Sequence, residues 1–407
     1  MEECVVHGAL AALLRIMRVV GMIPVRLVSL SGAFVVRYSF AQDVIARLFY
    51  ACFCLLLLTW ESVHLITQIF SIKTTKKRPL LFLSVIAVFI RITIIFSSVW
   101  KGFRRTKQLC RNINEIQKLN IQGIHDVAVV NVEKRRFKLF ILLLAMSPII
   151  NLVESIIAGD YANDIKNDYL FLIRICLYQF GFFVIVTLEG QFVFTILTVH
   201  TALQAINRRL GKLLNDFKKN QERSNEISSA HRTLRRLATS YSTLCDVMRT
   251  LDEENGLIIF MSFISMLINA TQFIFFLVLY WSRNPFTNMP YTGIELEKLT
   301  FIRMMQFCRC LYVFIKIMFL LEPCQWTYNE MEVTRLFVTR LTHYAPTTSG
   351  PLINELEMFN RLVYTNIPSY SPLQLFTLKR SLILELWGTF TAWLIIVLHD
   401  KNTDKKE

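Results

Sequence analysis

Seven apolar stretches set the terms for this chain, at about 48–69, 80–100, 137–158, 169–199, 257–281, 301–321 and 381–398. As a helix, each is long enough to cross the roughly 30 Å hydrocarbon core of a bilayer. Inside hydrocarbon every backbone N–H and C=O must be paired within the chain, so a run of this kind becomes a helix or it does not cross. Of the 407 residues 54% are hydrophobic and 18% charged, where soluble domains carry about 45–50% and about 25%. The expected fold class is therefore all-α: one polytopic seven-transmembrane helical bundle covering residues 1–407.

Charge outside the spans orients the bundle. With the amino terminus inside, 29 Lys and Arg residues fall on the cytoplasmic side and 10 on the other, so the positive-inside rule places the amino terminus in the cytoplasm. The four cations Lys73, Lys76, Lys77 and Arg78 in one short outer loop argue the other way and are outvoted. The net charge of +15 resides in clusters between apolar runs, such as Lys101-Gly-Phe-Arg-Arg, Lys134-Arg-Arg and Arg232 to Arg236. That placement suits a membrane, and no nucleic-acid-binding signature accompanies it.

Between spans, Leu203, Ile206, Leu210, Leu213 and Leu214 recur near helical spacing, as do apolar residues in 352–364. The spans are thus expected to continue into the cytoplasm as helical stalks, or to be joined by solvated linker helices. A connector, Asn366-Ile-Pro-Ser-Tyr-Ser-Pro, precedes the last run. The nine cysteines lie mostly in apolar runs. Cys52 with Cys54, and Cys308 with Cys310, would point about 200° apart on a helix, so neither pair suits a metal. No phosphate loop, zinc-protease motif or nucleophile elbow occurs, and the expectation is a non-enzyme without cofactor.

Ionisable residues within spans include Arg91, Glu154, Arg174, Glu189, Arg303, Arg309, Lys316 and Glu385. Each is costly in lipid, so each marks function or a structural pair. With the amino terminus inside, Asn151, Glu154, Arg174, Tyr178, Asn269, Gln272, Arg303 and Gln306 fall towards the outer side. They suit a small-molecule pocket open to the outside, or equally a Glu154–Arg174 pair with interhelical hydrogen bonds. Arg309 and Lys316 lie near the inner side, where snorkelling would satisfy them. In the last run, Ser381, Glu385, Gly388, Ala392, Ile395 and His399 share one helical face that is small or polar apart from Ile395. Such a stripe fits a water-lined path or close helix packing.

From Leu375 to Asp400 the chain resembles the carboxyl-terminal signature of insect gustatory receptors. That family ends its seventh helix in Thr-Tyr, five hydrophobic residues and Gln-Phe. Here the spacing is kept as Ala392-Trp393, Leu394 to Leu398, and His399-Asp400, with all four fixed identities changed. Phe376-x-Leu-x-Arg-Ser-Leu382, Gly388, Glu355-Leu-Glu-Met-Phe359 and Gly21-x-x-Pro24 are similar to further family features. The resemblance implies a chemoreceptor channel: a ligand-gated, non-selective cation channel in the plasma membrane of sensory neurons. It further implies a homo- or hetero-tetramer in membrane lipid that detects a small-molecule tastant, with the diverse branch that includes bitter receptors favoured. On that resemblance the stripe faces a shared pore. Ile395 or Leu398 would gate it by dewetting, and His399 and Asp400 would ring its outer mouth. A divergent odorant-receptor-like channel would look almost the same. A G-protein-coupled receptor or a transporter fits less well, lacking an Asp-Arg-Tyr-like triplet or inverted repeats respectively.

Overall fold

The structure is a computed structural model that describes residues 4–23, 25–30, 33–71, 78–119, 127–161, 168–219, 224–282, 293–344 and 350–403, with most but not all of their side chains. Chain order is β1 (Cys4–Val6), α1 (Gly8–Val19), β2 (Val25–Leu30), β3 (Ala33–Tyr38), α2 (Phe40–Ser71), α3 (Arg78–Trp100) and α4 (Gly102–Lys118). Then follow α5 (Val127–Tyr161), α6 (Asp168–Lys219), α7 (Ser224–Ser282), α8 (Gly293–Tyr344), α9 (Gly350–Thr365) and α10 (Ser381–Thr403). Each of the seven apolar runs falls inside one helix, in turn α2, α3, α5, α6, α7, α8 and α10. Among the described residues, Ala41–Thr59, Gln179–Lys218, Ala230–Thr271 and Met304–Tyr344 are long and apolar enough to cross a membrane, with Val85–Trp100 joining Arg104–Lys118 across a 64° bend. The molecule is a multi-pass, seven-helix membrane bundle.

Helix length shows where the bundle extends beyond the membrane. At 52 residues α6 and α8 are roughly 78 Å long, more than twice the hydrocarbon core. The amphipathic spacing in 200–256 is the reason: Leu203, Ile206, Leu210 and Leu214 of α6 and Leu234, Leu237, Tyr241 and Leu244 of α7 are all buried. Against these cytoplasmic stalks α9 lays Leu352, Leu356, Phe359 and Val363, one apolar stripe at helical spacing. Phe359 meets the Tyr241 ring edge-on at 5.9 Å.

Centrality follows from hydrophobicity on all sides. The most apolar 18 residues of α6 within Gln179–Lys218 are 89% buried, whereas those of α2 within Ala41–Thr59 are 33% buried, so α6 is the post and α2 lies at the periphery. Glycine at 190 permits the closest approach to that post. A Cβ there would lie 2.6 Å from Cε2 of Phe140, itself fully buried on α5. The helix runs on through Gly190, so the glycine serves close packing and does not break the span.

The amino-terminal region adds to the helices a three-stranded antiparallel sheet in the order β1-β3-β2 that the hydrophobic runs did not announce. Its sequence signal is alternation in Val25–Leu30 and Ala33–Tyr38 with Ser31-Gly32 between, and Leu30 pairs with Ala33. Helix α1 was likewise unforeseen. Its N-terminus is capped from α5, where Glu133 Oε1 accepts the Ala9 N–H at 2.7 Å. Gly8, at φ 63, leaves room for that carboxylate, and a Cβ would sit 2.7 Å from Oε1. At the other end Gly21 (φ 76) lets Met22 N–H reach Met17 O at 2.8 Å while Gly21 N–H reaches Arg18 O at 3.0 Å, the Schellman arrangement. The sheet is tied to α4 by Gln117 Nε2 donating to Val5 O at 2.7 Å and by the Cys4 thiol donating to Cys110 Sγ at 2.9 Å. That hydrogen bond, with burial, raises the Cys4 pKa far above its ordinary value, so it stays a neutral thiol.

The Gly190 contact is a test of the packing. Gly190→Val is expected to overpack the α5–α6 seam by about 1–3 kcal/mol and to lower the melting temperature of the detergent-solubilised protein by several degrees. Adding Phe140→Leu should recover part of that loss. An unchanged melting curve for Gly190→Val would refute the close packing.

Candidate functional site

The connector between α9 and α10 carries an unusual backbone. Leu373 (φ 53) and Gln374 (φ 59) are consecutive non-glycine residues in the left-handed region, at a cost of about 1–2 kcal/mol each. The turn is closed by Gln374 N–H to Ser371 O at 2.7 Å and Leu375 N–H to Pro372 O at 3.2 Å. What holds it is contact. Gly256 of α7 has no side chain, and a Cβ there would lie 3.3 Å from Leu373 N and 3.6 Å from Pro372 Cα. Phe376 packs against Phe263 and Phe260 of the same helix, with centroids 5.4 and 6.3 Å apart.

Tyr370 is the plug of this turn. It is fully buried, lies 5.9 Å from Phe192 of α6 and 6.0 Å from Tyr328 of α8, and donates its backbone N–H to the Tyr328 hydroxyl at 2.7 Å. Burial pushes its phenol pKa well above the ordinary tyrosine range, so it remains neutral. On the way to α10, Glu322 of α8 receives two guanidinium groups. Arg136 of α5 donates to one carboxylate oxygen and Arg380 donates to the other at 3.2 Å. Arg380 also donates its backbone N–H to Gln325 Oε1 at 3.3 Å, and Arg136 lies 4.4 Å from the Trp326 ring centre. Five connector residues, Tyr370, Pro372, Leu373, Phe376 and Arg380, are therefore clasped by α6, α7 and α8 immediately before the last helix begins.

Among its described side chains, that helix makes few buried contacts with its own chain. Leu382 and Leu386 of α10, one turn apart, are buried, whereas Ser381, Glu385, Gly388, Ala392 and Ile395 are exposed, Ile395 by 66%. Nothing lies within 4 Å of a Cβ built on Gly388. The side chains of Leu398, His399 and Asp400 are outside the described residues.

Higher in the bundle, the eight residues nominated for a pocket fall in pairs on four helices: Asn151 and Glu154 on α5, Arg174 and Tyr178 on α6, Asn269 and Gln272 on α7, Arg303 and Gln306 on α8. These four helices pack on one another. The side chains of Asn151, Glu154, Arg174, Tyr178, Gln272 and Arg303 are outside the described residues. Asn269 is buried and donates its amide to Ser265 O at 2.8 Å. Gln306 is buried as well. Among the described residues, Asn269 Oδ1 and Gln306 Oε1 have no hydrogen-bond partner.

Lys316 departs from expectation. It does not snorkel: its ammonium lies 2.9 Å from Glu189 Oε1, with the two side chains 6% and 1% exposed. The Ser262 hydroxyl donates to the same carboxylate oxygen, so α6, α7 and α8 share one buried polar knot. A buried charge needs a buried partner, and helix register brings Lys316 to the only kind of group that can satisfy it. Nearby, Arg105 of α4 donates to Gln191 Oε1 at 3.1 Å and to Asn255 Oδ1 at 3.0 Å, lining a small polar cavity with Thr195 and Glu254. Sequence reading gave no role to Glu322 or Tyr370, and it met Arg105 and Arg380 only within the Lys101-Gly-Phe-Arg-Arg cluster and the Phe376-x-Leu-x-Arg-Ser-Leu382 resemblance.

A family model described as 7tm Chemosensory receptor matches residues 10–399. No curated protein matches the sequence. In fold, the chain is similar to the insect olfactory receptor OR5 from Machilis hrabei, with TM-score 0.64 and 10% identity over 95% of this chain and 96% of that one. The same receptor in complex with eugenol gives TM-score 0.64 and 11% identity over 96% and 97%.

The buried knot can be tested directly. Lys316→Met leaves the Glu189 charge without its partner and is expected to cost about 3–5 kcal/mol, read as a large loss of monodisperse protein after detergent extraction. Glu189→Gln with Lys316→Met removes both charges and should restore most of it. Equal loss in the single and double variants would contradict the pairing.

Proposed function

This chain belongs to the 7tm chemosensory receptor family, and from that premise we propose that it is a gustatory receptor: a ligand-gated, non-selective cation channel opened by a small-molecule tastant. The observation that carries the channel reading is the exposed polar stripe of α10. Glu385 and Gly388 face away from the chain's own core, and a carboxylate turned towards lipid is costly. A water-filled path shared by several copies removes that cost, with Ile395 as a hydrophobic constriction and Leu398, His399 and Asp400 towards its outer end.

The same helices supply a route from ligand to pore. On this reading Asn269 and Gln306 accept hydrogen bonds from a small organic ligand in the outer half of the bundle, beside Asn151, Glu154, Arg174, Tyr178, Gln272 and Arg303. OR5, solved with eugenol, supports a small organic ligand. Helices α7 and α8 that carry those two amides also carry Gly256, Phe263, Glu322 and Tyr328 of the clasp. A shift of either helix moves the foot of α10, which is a two-ended lever and needs no separate relay. The kept spacing from Ala392 to Asp400 favours the gustatory branch, with bitter compounds as the class to try first. A volatile-ligand channel is the second reading, favoured by the olfactory receptor fold.

Expression in a cell line with calcium imaging and current recording against a chemically broad panel tests the proposal. Agonist-evoked cation currents are expected, and tastants against volatiles decide between the readings. Gln306→Leu removes one hydrogen bond of about 1 kcal/mol and should raise the half-maximal agonist concentration roughly fivefold. Asp400→Lys should lower cation conductance and selectivity; unaltered permeation would sink the pore assignment. Cutting the clasp with Arg380→Ala should change the current at saturating agonist without moving the concentration at which Gln306 acts.

A further inference from the structure

Helix α4 leaves the membrane with its chemistry divided in two. Leu109, Cys110, Ile113 and Ile116 are buried against the rest of the chain, together with Arg105. The opposite face carries Arg104, Lys107, Arg111 and Lys118, which fall within about 60° of arc at 3.6 residues per turn, and all four are exposed. Lys101 is exposed just before the helix. Two of these cations have acidic neighbours, Arg104 with Glu254 at 2.8 Å and Lys118 with Glu115 at 3.2 Å. Among the described residues Lys101, Lys107 and Arg111 have no ion-pair partner.

The face that carries them follows a lipid-facing one along the chain. Phe89, Phe96 and Trp100 of α3 are exposed by 65%, 52% and 64% and lie on one side of that helix. Phe96 and Trp100 stack at 5.6 Å. Lys101 takes the turn geometry φ −88 and ψ 0 at the 64° bend into α4, bracketed by Lys101 N–H to Ser97 O at 3.1 Å and Arg105 N–H to Lys101 O at 2.9 Å. The cations of α4 therefore begin directly after the aromatic end of α3. Trp100, with the Arg47 guanidinium 5.8 Å from its ring centre, occupies the position where aromatic belts mark the edge of hydrocarbon. Cations on the next turn are at headgroup level, in the leaflet that carries anionic lipid.

We propose that Lys101, Lys107 and Arg111 form a docking face for the headgroups of anionic phospholipids in the cytoplasmic leaflet, with Arg104 and Lys118 at its margins. The argument is charge complementarity at a fixed depth: three unpaired cations beside an interfacial tryptophan, on a face turned away from the protein. Each cation near such a surface contributes about fivefold in affinity, so removing three should weaken anionic-lipid retention by one to two orders of magnitude. Because α4 is bonded through Arg105 to Gln191 and Asn255, lipid held there also steadies α4 against α6 and α7.

Native mass spectrometry of the purified full chain, equilibrated with equal phosphatidylserine and phosphatidylcholine, reads the proposal. Phosphatidylserine adducts should exceed phosphatidylcholine adducts in the parent protein. The Lys101→Gln/Lys107→Gln/Arg111→Gln variant should lose that preference at least tenfold, and Arg232→Gln/Arg236→Gln/Arg340→Gln, which removes three exposed cations from the stalks, should keep it. Equal retention of the two lipids by the parent protein, or an unchanged preference in the α4 variant, would overturn the site in favour of a merely solvated face. Equal losses in both variants would overturn it in favour of net charge alone. Should the α4 variant fold poorly, raising salt on the parent protein decides: the preference must fall as charges are screened, and its persistence would exclude an electrostatic docking face.

Discussion

Hydrocarbon offers no hydrogen bonds, and that single constraint places nearly every polar group between the headgroups of this chain. Where the bundle can satisfy a charge internally it does so with a partner from another helix, as Glu189, Lys316 and Ser262 show. The hydroxyls of Thr187, Thr195 and Thr198 instead return to carbonyls one turn back, on Phe183, Gln191 and Phe194. Against that background the exposed Glu385 and Gly388 of α10 stand apart. They are polar and small, yet turned away from every other helix of their own chain.

The clasp at the foot of α10 follows from the same economy of contacts. Among the described side chains of α10, Leu382 and Leu386 are the buried ones, so its described part takes little hold from apolar contact. Its position is fixed from below, by a turn that spends conformational energy at Leu373 and Gln374 and regains it through Tyr370, Phe376 and the Glu322–Arg380 bond. Two states of such a turn would differ by few interactions, all of them on helices that run outward to the other end of the bundle. A helix seated this way is steered by its foot.

How much of this was legible in the sequence divides by range. Seven helices, their direction and the cytoplasmic extension of α6 and α7 were written in apolar runs, cation placement and 3.6-residue spacing, which are local signals. The sheet was legible too, in Val25–Leu30, Ser31-Gly32 and Ala33–Tyr38, but long apolar runs drew the reading away from a short alternating one. Lys316 was misread because snorkelling is the local answer for a cation near a membrane face, whereas its partner Glu189 is on another helix and only packing supplies the register. The clasp shows the limit most plainly. Gly256, Glu322, Tyr328 and Tyr370 carry no motif, and their meaning arises when three helices meet one turn.

Register also separates what spacing can say of the last helix from what it can say of the pocket. On a single helix the phase is internal, so Ser381, Glu385, Gly388, Ala392 and Ile395 share one face by spacing alone; the five are exposed, as are Leu384, Trp387, Thr389 and Thr391 on other sides of the helix. A pocket needs the relative rotation of four helices, which spacing within each does not contain. Asn269 and Gln306 illustrate the difference: both are buried with an acceptor oxygen unpartnered among the described residues, a condition their sequences do not reveal. Burying an amide oxygen without a donor is unfavourable by about 1–3 kcal/mol. Other buried atoms of the described residues, among them Glu189 Oε2, His200 Nδ1 and Asn360 Oδ1, also lack a hydrogen-bond partner, so what sets Asn269 and Gln306 apart for the proposed ligand is their place on adjacent helices in one half of the bundle.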